Sequence, residues 1–129
     1  MAIDTRIDEA RRRAYLRIVG DITGGEVNAV LKALVEARPE LAGFDYLYDV
    51  REHTGLVVNS DVAEVGDLFE RARRPEPDAA PAWTVFVSND PNLHQWARLM
   101  DFQVAGRRHM VFARPEDGEA YLDRLRSAA

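Results

Sequence analysis

Strands and helices alternate along this chain, and that alternation limits its folding more than any other feature. An opening pair of strands is followed by three segments with helical spacing, each leading into a further strand, and by a last helix. Strands separated by helices run parallel and are joined by right-handed crossovers. The order ββαβαβαβα predicts a single α/β domain over residues 1–129. Its five-stranded sheet is mixed, begins with a hairpin, and has helices packed on it.

The strands are predicted from side-chain alternation or apolar content. Residues 3–7 and 14–18 alternate apolar and polar side chains on either side of a polar turn, as a hairpin does. Residues 44–50 form an aromatic and β-branched run, 83–87 are almost wholly apolar, and 108–113 form the last strand. The run 83–87 indicates a strand that is covered on both faces or central in the sheet.

Helix starts carry capping residues. Thr23 and Glu26 have the spacing of a capping box. The second helix is predicted to begin at Ser60 or at the residue after it, and Asp90 followed by Pro91 predicts the start of the third. These starts place a loop of about eight residues between the third strand and the second helix.

Composition excludes several kinds of function. The 129 residues contain no cysteine, which removes disulfides, thiol catalysis and thiolate metal sites. The three histidines lack metal-ligand spacing and no nucleotide-binding motif is present, so no metal or cofactor is predicted. No apolar run approaches the ~20 residues of a membrane span, and a cytoplasmic protein is expected.

The charge distribution argues against nucleic-acid binding. The net charge is −5, whereas phosphate neutralisation by cations supplies most nonspecific affinity for nucleic acid. Basic clusters at 11–13, 71–74 and 107–108 are interpreted as solvated residues at a hairpin turn, a helix end and a strand start. Arg107 and Arg108 are expected to discourage edge pairing. The sequence leaves open a homodimer through the helix faces or the hairpin.

Polar side chains follow the third strand where it leaves the sheet. Asp49, Arg51 and His53 lie two apart and are expected to project to one side. They either bind an anion or shuttle a proton, or Asp49 bonds to loop amides and pairs with Arg51 while His53 is merely exposed. Ligands and partners usually meet α/β sheets at these carboxyl ends. The candidate contact surface comprises Asp49, Arg51, His53, Leu56, Asn59 and Ser60.

Four segments resemble the SpoIIAA-like, or STAS-related, group of small bacterial proteins. They are residues 20–23 after the hairpin, 48–51 with the long loop that follows, 96–100, and 111–122. The resemblance implies a β-α superhelix with a mixed sheet. Its better-known members are anti-sigma-factor antagonists, which bind a partner kinase and are switched by phosphorylation of a serine that begins the helix after strand three.

Ser60 is the candidate phosphosite that this resemblance implies. The relatives' Asp-Ser-Ser-Gly pattern is absent, and Asp61 places a negative charge that opposes a phosphate beside it. The helix N-terminus still favours an anion. The alternative role of Ser60 is to cap the helix.

Three functions follow as hypotheses. The first is a regulatory module that binds a protein through the loop after strand three. The second is a binder of a small apolar or lipid-like ligand, suggested by Leu56, Val57 and Val58 in that loop. CRAL-TRIO lipid-transfer domains share this fold class and gate their pocket with extra helices, which this chain lacks, so a shallow pocket is expected. The third is an enzyme, for which no motif is present and no catalytic residue is assigned.

Overall fold

The computed structural model describes residues 2–72 and 80–127, which form one five-stranded sheet with helices on both faces. The strands follow their chain order across the sheet. The first pair is antiparallel and the remaining pairs are parallel. The predicted mixed sheet with an opening hairpin is therefore confirmed. The strands are β1 (Ala2–Asp8), β2 (Arg13–Gly20), β3 (Asp45–His53), β4 (Ala82–Val87) and β5 (Arg107–Phe112).

Four α-helices follow the predicted order, with a 3-10 helix at Pro39–Gly43 after the first. Thr23 caps α1 in a complete capping box with Glu26. Because α2 begins at Asn59, Ser60 is a helical residue and does not cap the helix. The helices are α1 (Gly24–Ala37), α2 (Asn59–Ala72), α3 (Asn92–Gln103) and α4 (Pro115–Ser127). None of the helices in the described part of the chain is long and apolar enough to cross a membrane.

The two faces of the sheet have separate cores. The larger core lies under α1, α2 and α3, where Leu31, Phe69 and Met100 pack on alternate residues of β2 and β3. Three consecutive right-handed crossovers place these helices on the same face. On the opposite face, α4 covers a smaller cluster around Leu47 and Leu122. β4 is enclosed by both cores and lies between β3 and β5, as its apolar run predicts.

Charged pairs fasten α4 to the sheet. Arg13 is buried at the start of β2 and donates to Glu119 (2.8 Å) and Asp123 (3.0 Å). The interpretation of residues 11–13 as wholly solvated is wrong for Arg13, because α4 folds back over it. Buried Asp45 binds Arg126 and also accepts from the Trp83 amide (2.9 Å). Of the basic cluster at 71–74, Arg73 and Arg74 lie outside the described residues.

The carboxyl ends of β3 and β4 meet at one edge of the sheet. The two strands are parallel neighbours, and Asp49 pairs with Val87 near their ends. The loops that lead into α2 and α3 therefore leave the sheet side by side. The polar residues at the carboxyl ends of β3 and β4 therefore share this edge of the sheet.

Candidate functional site

A cavity of about 450 Å³ lies between the sheet and the three helices α1, α2 and α3. Its exposed lining residues, among them Leu56, Val57 and Asp90, follow the carboxyl ends of β3 and β4, so the mouth opens at that edge. Its buried lining residues reach back to Thr84 and Arg107 near the starts of β4 and β5. The pocket is therefore deeper than the shallow one that the sequence predicts.

Aromatic rings form much of the cavity wall on the sheet side. Tyr48 stacks on Phe86, with ring centroids 5.4 Å apart, and Phe86 stacks on His109 at 6.3 Å. The opposite wall comes from the helices, through Phe69 of α2 and Trp96 of α3. Walls of this kind favour an apolar occupant, with a few polar groups to orient it.

Arg107 is buried at the inner end of the cavity, with only 5% of its surface exposed. Its terminal nitrogens donate to the carbonyls of Trp83 (3.1 Å), Ala42 (3.0 Å) and Phe44 (2.7 Å), and to Thr84 Oγ1 (3.1 Å). The interpretation of Arg107 as solvated charge that guards the sheet edge is wrong. Only its neighbour Arg108 is exposed.

The Arg107 guanidinium is also held by aromatic faces. Its central carbon lies 5.0 Å from the Tyr46 ring centroid and 4.7 Å from that of Phe69, within the range of cation–π attraction. Among the described residues no carboxylate lies within ion-pair distance of it. Burial accordingly lowers the pKa of Arg107, although a guanidinium stays charged at any ordinary pH.

His109 is a second buried polar residue of the cavity wall, and it is oriented by Asp101 of α3. One carboxylate oxygen of Asp101 accepts from the His109 amide (2.7 Å) and from its ring Nδ1 (3.0 Å). Nε2 is therefore the ring nitrogen left for a ligand. Burial lowers the pKa of His109, and the Asp101 hydrogen bond opposes that shift only in part, so the ring is neutral at pH 7.

Tyr48 adds a hydroxyl to the same cavity. The residue is buried, and burial raises the pKa of its phenol well above the usual value, so the group is a hydrogen-bond donor at neutral pH. Among the described residues none forms a hydrogen bond with this hydroxyl. Its neighbour Tyr46, by contrast, donates to the Leu41 carbonyl (3.1 Å).

The mouth of the cavity is built from two loops that hydrogen-bond to each other. The end of β3 and the loop after it contact the connection between β2 and α1, including its end residues, through three bonds: Thr54 N to Gly20 O (3.0 Å), Gly24 N to Leu56 O (3.0 Å), and His53 Nε2 to Ile22 O (2.6 Å). Gly55 makes the close approach possible, because a Cβ at this position would lie 1.8 Å from the Ile22 carbonyl oxygen.

A β-bulge separates His53 from the other polar residues of strand three. Arg17 pairs with Asp49 and Val19 with Glu52, so β3 holds one extra residue between these two pairs. The extra residue reverses the alternation of side chains. His53 therefore lines the cavity and does not project with Asp49 and Arg51 to one side, as the spacing alone predicts.

Asp49 and Arg51 pair with each other outside the cavity. Arg51 donates to both carboxylate oxygens, from Nε at 2.9 Å and from Nη2 at 2.7 Å. This bonding lowers the pKa of Asp49. The pairing of Asp49 with Arg51 is the one that the second alternative above expects, but the same alternative leaves His53 exposed, whereas His53 is half-buried and lines the cavity.

The remaining residues of the predicted contact surface lie in or beside the loop after β3. Leu56 is 72% exposed, and Asn59 and Ser60 are exposed in the first turn of α2. Asp61 accepts from the Val58 amide (2.9 Å) through its side chain and so stabilises this helix start. Among the described residues there is no group of three or more acidic or histidine side chains arranged to hold a metal ion.

The sequence patterns do not indicate the inner end of the cavity. They place Tyr48, Thr84 and His109 in strands and predict that Arg107 is surface charge. The signal that could have found the last two is the alternation of β5, since stepping back by twos from apolar Val111 places both on the buried face.

This arrangement defines a small mixed α/β domain with a ligand-sized cavity under its three crossover helices. No family model and no curated protein matches the chain. Among the solved structures that share its fold are two with a SpoIIAA-like architecture. The chain therefore has the SpoIIAA-like fold that its sequence segments resemble.

The two structures differ from this chain strongly in sequence. One is an uncharacterized protein of the DUF3478 family from Shewanella loihica PV-4, with 15% identity and a TM-score of 0.61 over 94% of this chain and 92% of the other. The second is the anti-sigma factor antagonist SpoIIAA in its unphosphorylated form, with 13% identity and a TM-score of 0.56 over 97% and 98% of the two chains. At such identities the likeness establishes the fold alone.

Proposed function

We propose that this protein is a binding module that holds a small, largely apolar molecule in the cavity between the sheet and α1, α2 and α3. The observation that carries the proposal is the cavity itself, about 450 Å³ in volume and walled by aromatic and aliphatic side chains. Pockets of roughly 300–1,000 Å³ with this lining are typical of small-molecule sites.

A substitution that fills the cavity tests this function. Val65 is a half-buried residue of α2 that lines the cavity, whereas Ala63 on the same helix is exposed. Protein purified from its own host is expected to carry a bound small molecule in native mass spectrometry. We expect Val65→Trp to lose the bound molecule, because the indole ring fills the space that the molecule occupies. We expect Ala63→Trp to retain it.

Two results would contradict binding in the cavity. One is the repeated absence of a bound small molecule in the unmodified protein, and the other is equal retention of that molecule by Val65→Trp and Ala63→Trp. Circular dichroism of both variants controls for folding. The two variants carry the same introduced side chain, so a difference between them reports its position.

A second candidate function is protein binding through the loop that borders the cavity mouth. It is supported by the exposure of three consecutive apolar residues there, Leu56 (72%), Val57 (38%) and Val58 (41%). One protein that shares this fold is an anti-sigma factor antagonist. Ser60, exposed beside this loop, stays the candidate phosphosite.

Variants of the loop border test the protein-binding function. Arg51→Ala and Ser60→Asp are expected to weaken capture of a partner in a pull-down while the melting temperature stays nearly constant. Both side chains are exposed, so neither change removes core packing. Unchanged capture by both variants would remove this candidate. Loss of capture together with loss of folding would assign their effect to stability instead.

A further inference from the structure

The inner end of the cavity carries a positive charge that has no carboxylate partner among the residues that the structure describes. Arg107 is almost fully buried, and its four terminal hydrogen bonds go to three carbonyls and one hydroxyl. Asp45 is the acid with a favourable effect on this guanidinium, but its carboxylate is already bound to Arg126. A buried cation compensated only by neutral groups is costly.

A wholly apolar ligand would make that cost larger. Occupying the cavity removes water from its wall, and the groups that lose water include the guanidinium and the Tyr48 hydroxyl. A ligand without polar atoms returns nothing to these groups. A ligand whose inner end is an anion returns a countercharge to the guanidinium and a hydrogen-bond acceptor to the Tyr48 hydroxyl.

The charges of the lining indicate one negative charge on the ligand. Among the lining residues that belong to the described ranges 2–72 and 80–127, Arg107 is the single arginine and there is no lysine. At the mouth, Asp61 and Asp90 contribute acidic groups. A dianionic phosphate at the inner end would have one cation for its two negative charges, whereas a monocarboxylate matches the single guanidinium.

We propose that the ligand is a carboxylate-bearing amphiphile, bound with its carboxylate toward Arg107 and Tyr48 at the inner end of the cavity and its chain along the aromatic wall toward the mouth. This inference rests on the proposed binding function and gives the chemical class of the ligand. The tail contacts Phe86 and Trp96, and Tyr48 donates its otherwise unbonded hydroxyl to the head group.

A matched pair of ligands tests the head-group preference. Decanoate and 1-decanol have the same chain length and differ in charge at pH 8. Calorimetric titration of the purified protein should give a Kd for decanoate at least tenfold lower than that for 1-decanol. Equal Kd values would overturn the carboxylate preference and leave the binding function standing. Absence of binding by both ligands would overturn both proposals.

Variants of the cavity separate the charge from the rest of the site. Arg107→Met should reduce the ratio of the two Kd values to near one while 1-decanol still binds, and the exposed neighbour Arg108→Met should keep the wild-type ratio. Tyr48→Phe removes no hydrogen bond between described residues, so it should fold even if Arg107→Met does not. It should weaken decanoate binding at least threefold, and an unchanged Kd would place the head group elsewhere.

Discussion

His109 is an imidazole that the fold keeps neutral. It is 8% exposed, stacks on Phe86, and has Arg107 as a charged neighbour that further disfavours its protonation. Among the described residues Asp101 alone favours the charged form, through its bond to Nδ1. Burial and Arg107 together outweigh Asp101, so the His109 ring accepts a proton more readily in the unfolded chain than in the folded one.

Acidification should therefore destabilise the protein through His109. The folded pKa lies below the unfolded value of about 6.5, so the contribution of the neutral ring is complete above that pH. This contribution to the free energy of unfolding is lost as the pH falls from about 6.5 through the pKa of His109 in the folded protein. The loss is no more than about 1.4 kcal/mol per pH unit. Urea denaturation should show a larger fall in unfolding free energy from pH 7.5 to 5.5 for wild type than for His109→Asn.

A histidine on the surface provides the control for this measurement. His94 is exposed on α3, and His94→Asn should keep the pH dependence of the wild type. The asparagine at position 109 retains a donor for Asp101, which limits the loss of structure. If wild type and His109→Asn lose the same free energy over this range, other groups control the acid sensitivity.

At the scale of elements, the loop after β3 depends on close backbone contact with the loop after β2. Gly55 touches the Ile22 carbonyl, and the three hydrogen bonds of the mouth hold the same two loops together. The backbone that carries the loop's exposed apolar residues is therefore held in place by these hydrogen bonds. The length of the loop alone would suggest a less ordered segment.

Gly55→Ala should disrupt this contact. The added methyl group would meet backbone atoms that cannot rotate away, so the loops must separate, and a loss of roughly 1–3 kcal/mol is expected in urea denaturation. Gly25→Ala is the matched control, because its Cβ would have Thr23 Oγ1 as its nearest neighbour at 3.8 Å. Similar unfolding free energies for the two variants would show that the loop contact contributes little.

Sequence patterns predicted the elements well because periodicity and capping act locally. The strand at 83–87 and the Thr23 capping box are confirmed for that reason. The bulge that turns His53 into the cavity was not predictable, since it depends on the pairing of β3 with β2. Arg107 was misinterpreted because its four acceptors come from residues 23 to 65 positions earlier in the chain.

At the scale of the whole molecule, the two faces of the sheet serve different purposes. The face under α1, α2 and α3 contains the cavity, while the face under α4 is closed by apolar packing and by ion pairs. Strand order follows chain order, so each crossover adds a strand beside the preceding one. Contacts of β2 and β3 with α4 are an exception to this neighbour-to-neighbour assembly.

That exception has a consequence for biosynthesis. Arg13 and Asp45 are made early on the ribosome, yet their partners Glu119, Asp123 and Arg126 belong to the last helix. A chain that stops before residue 115 would leave a guanidinium and a carboxylate unpaired on a bare apolar surface. Prematurely terminated chains should thus be susceptible to proteolysis, because this face of their sheet stays exposed.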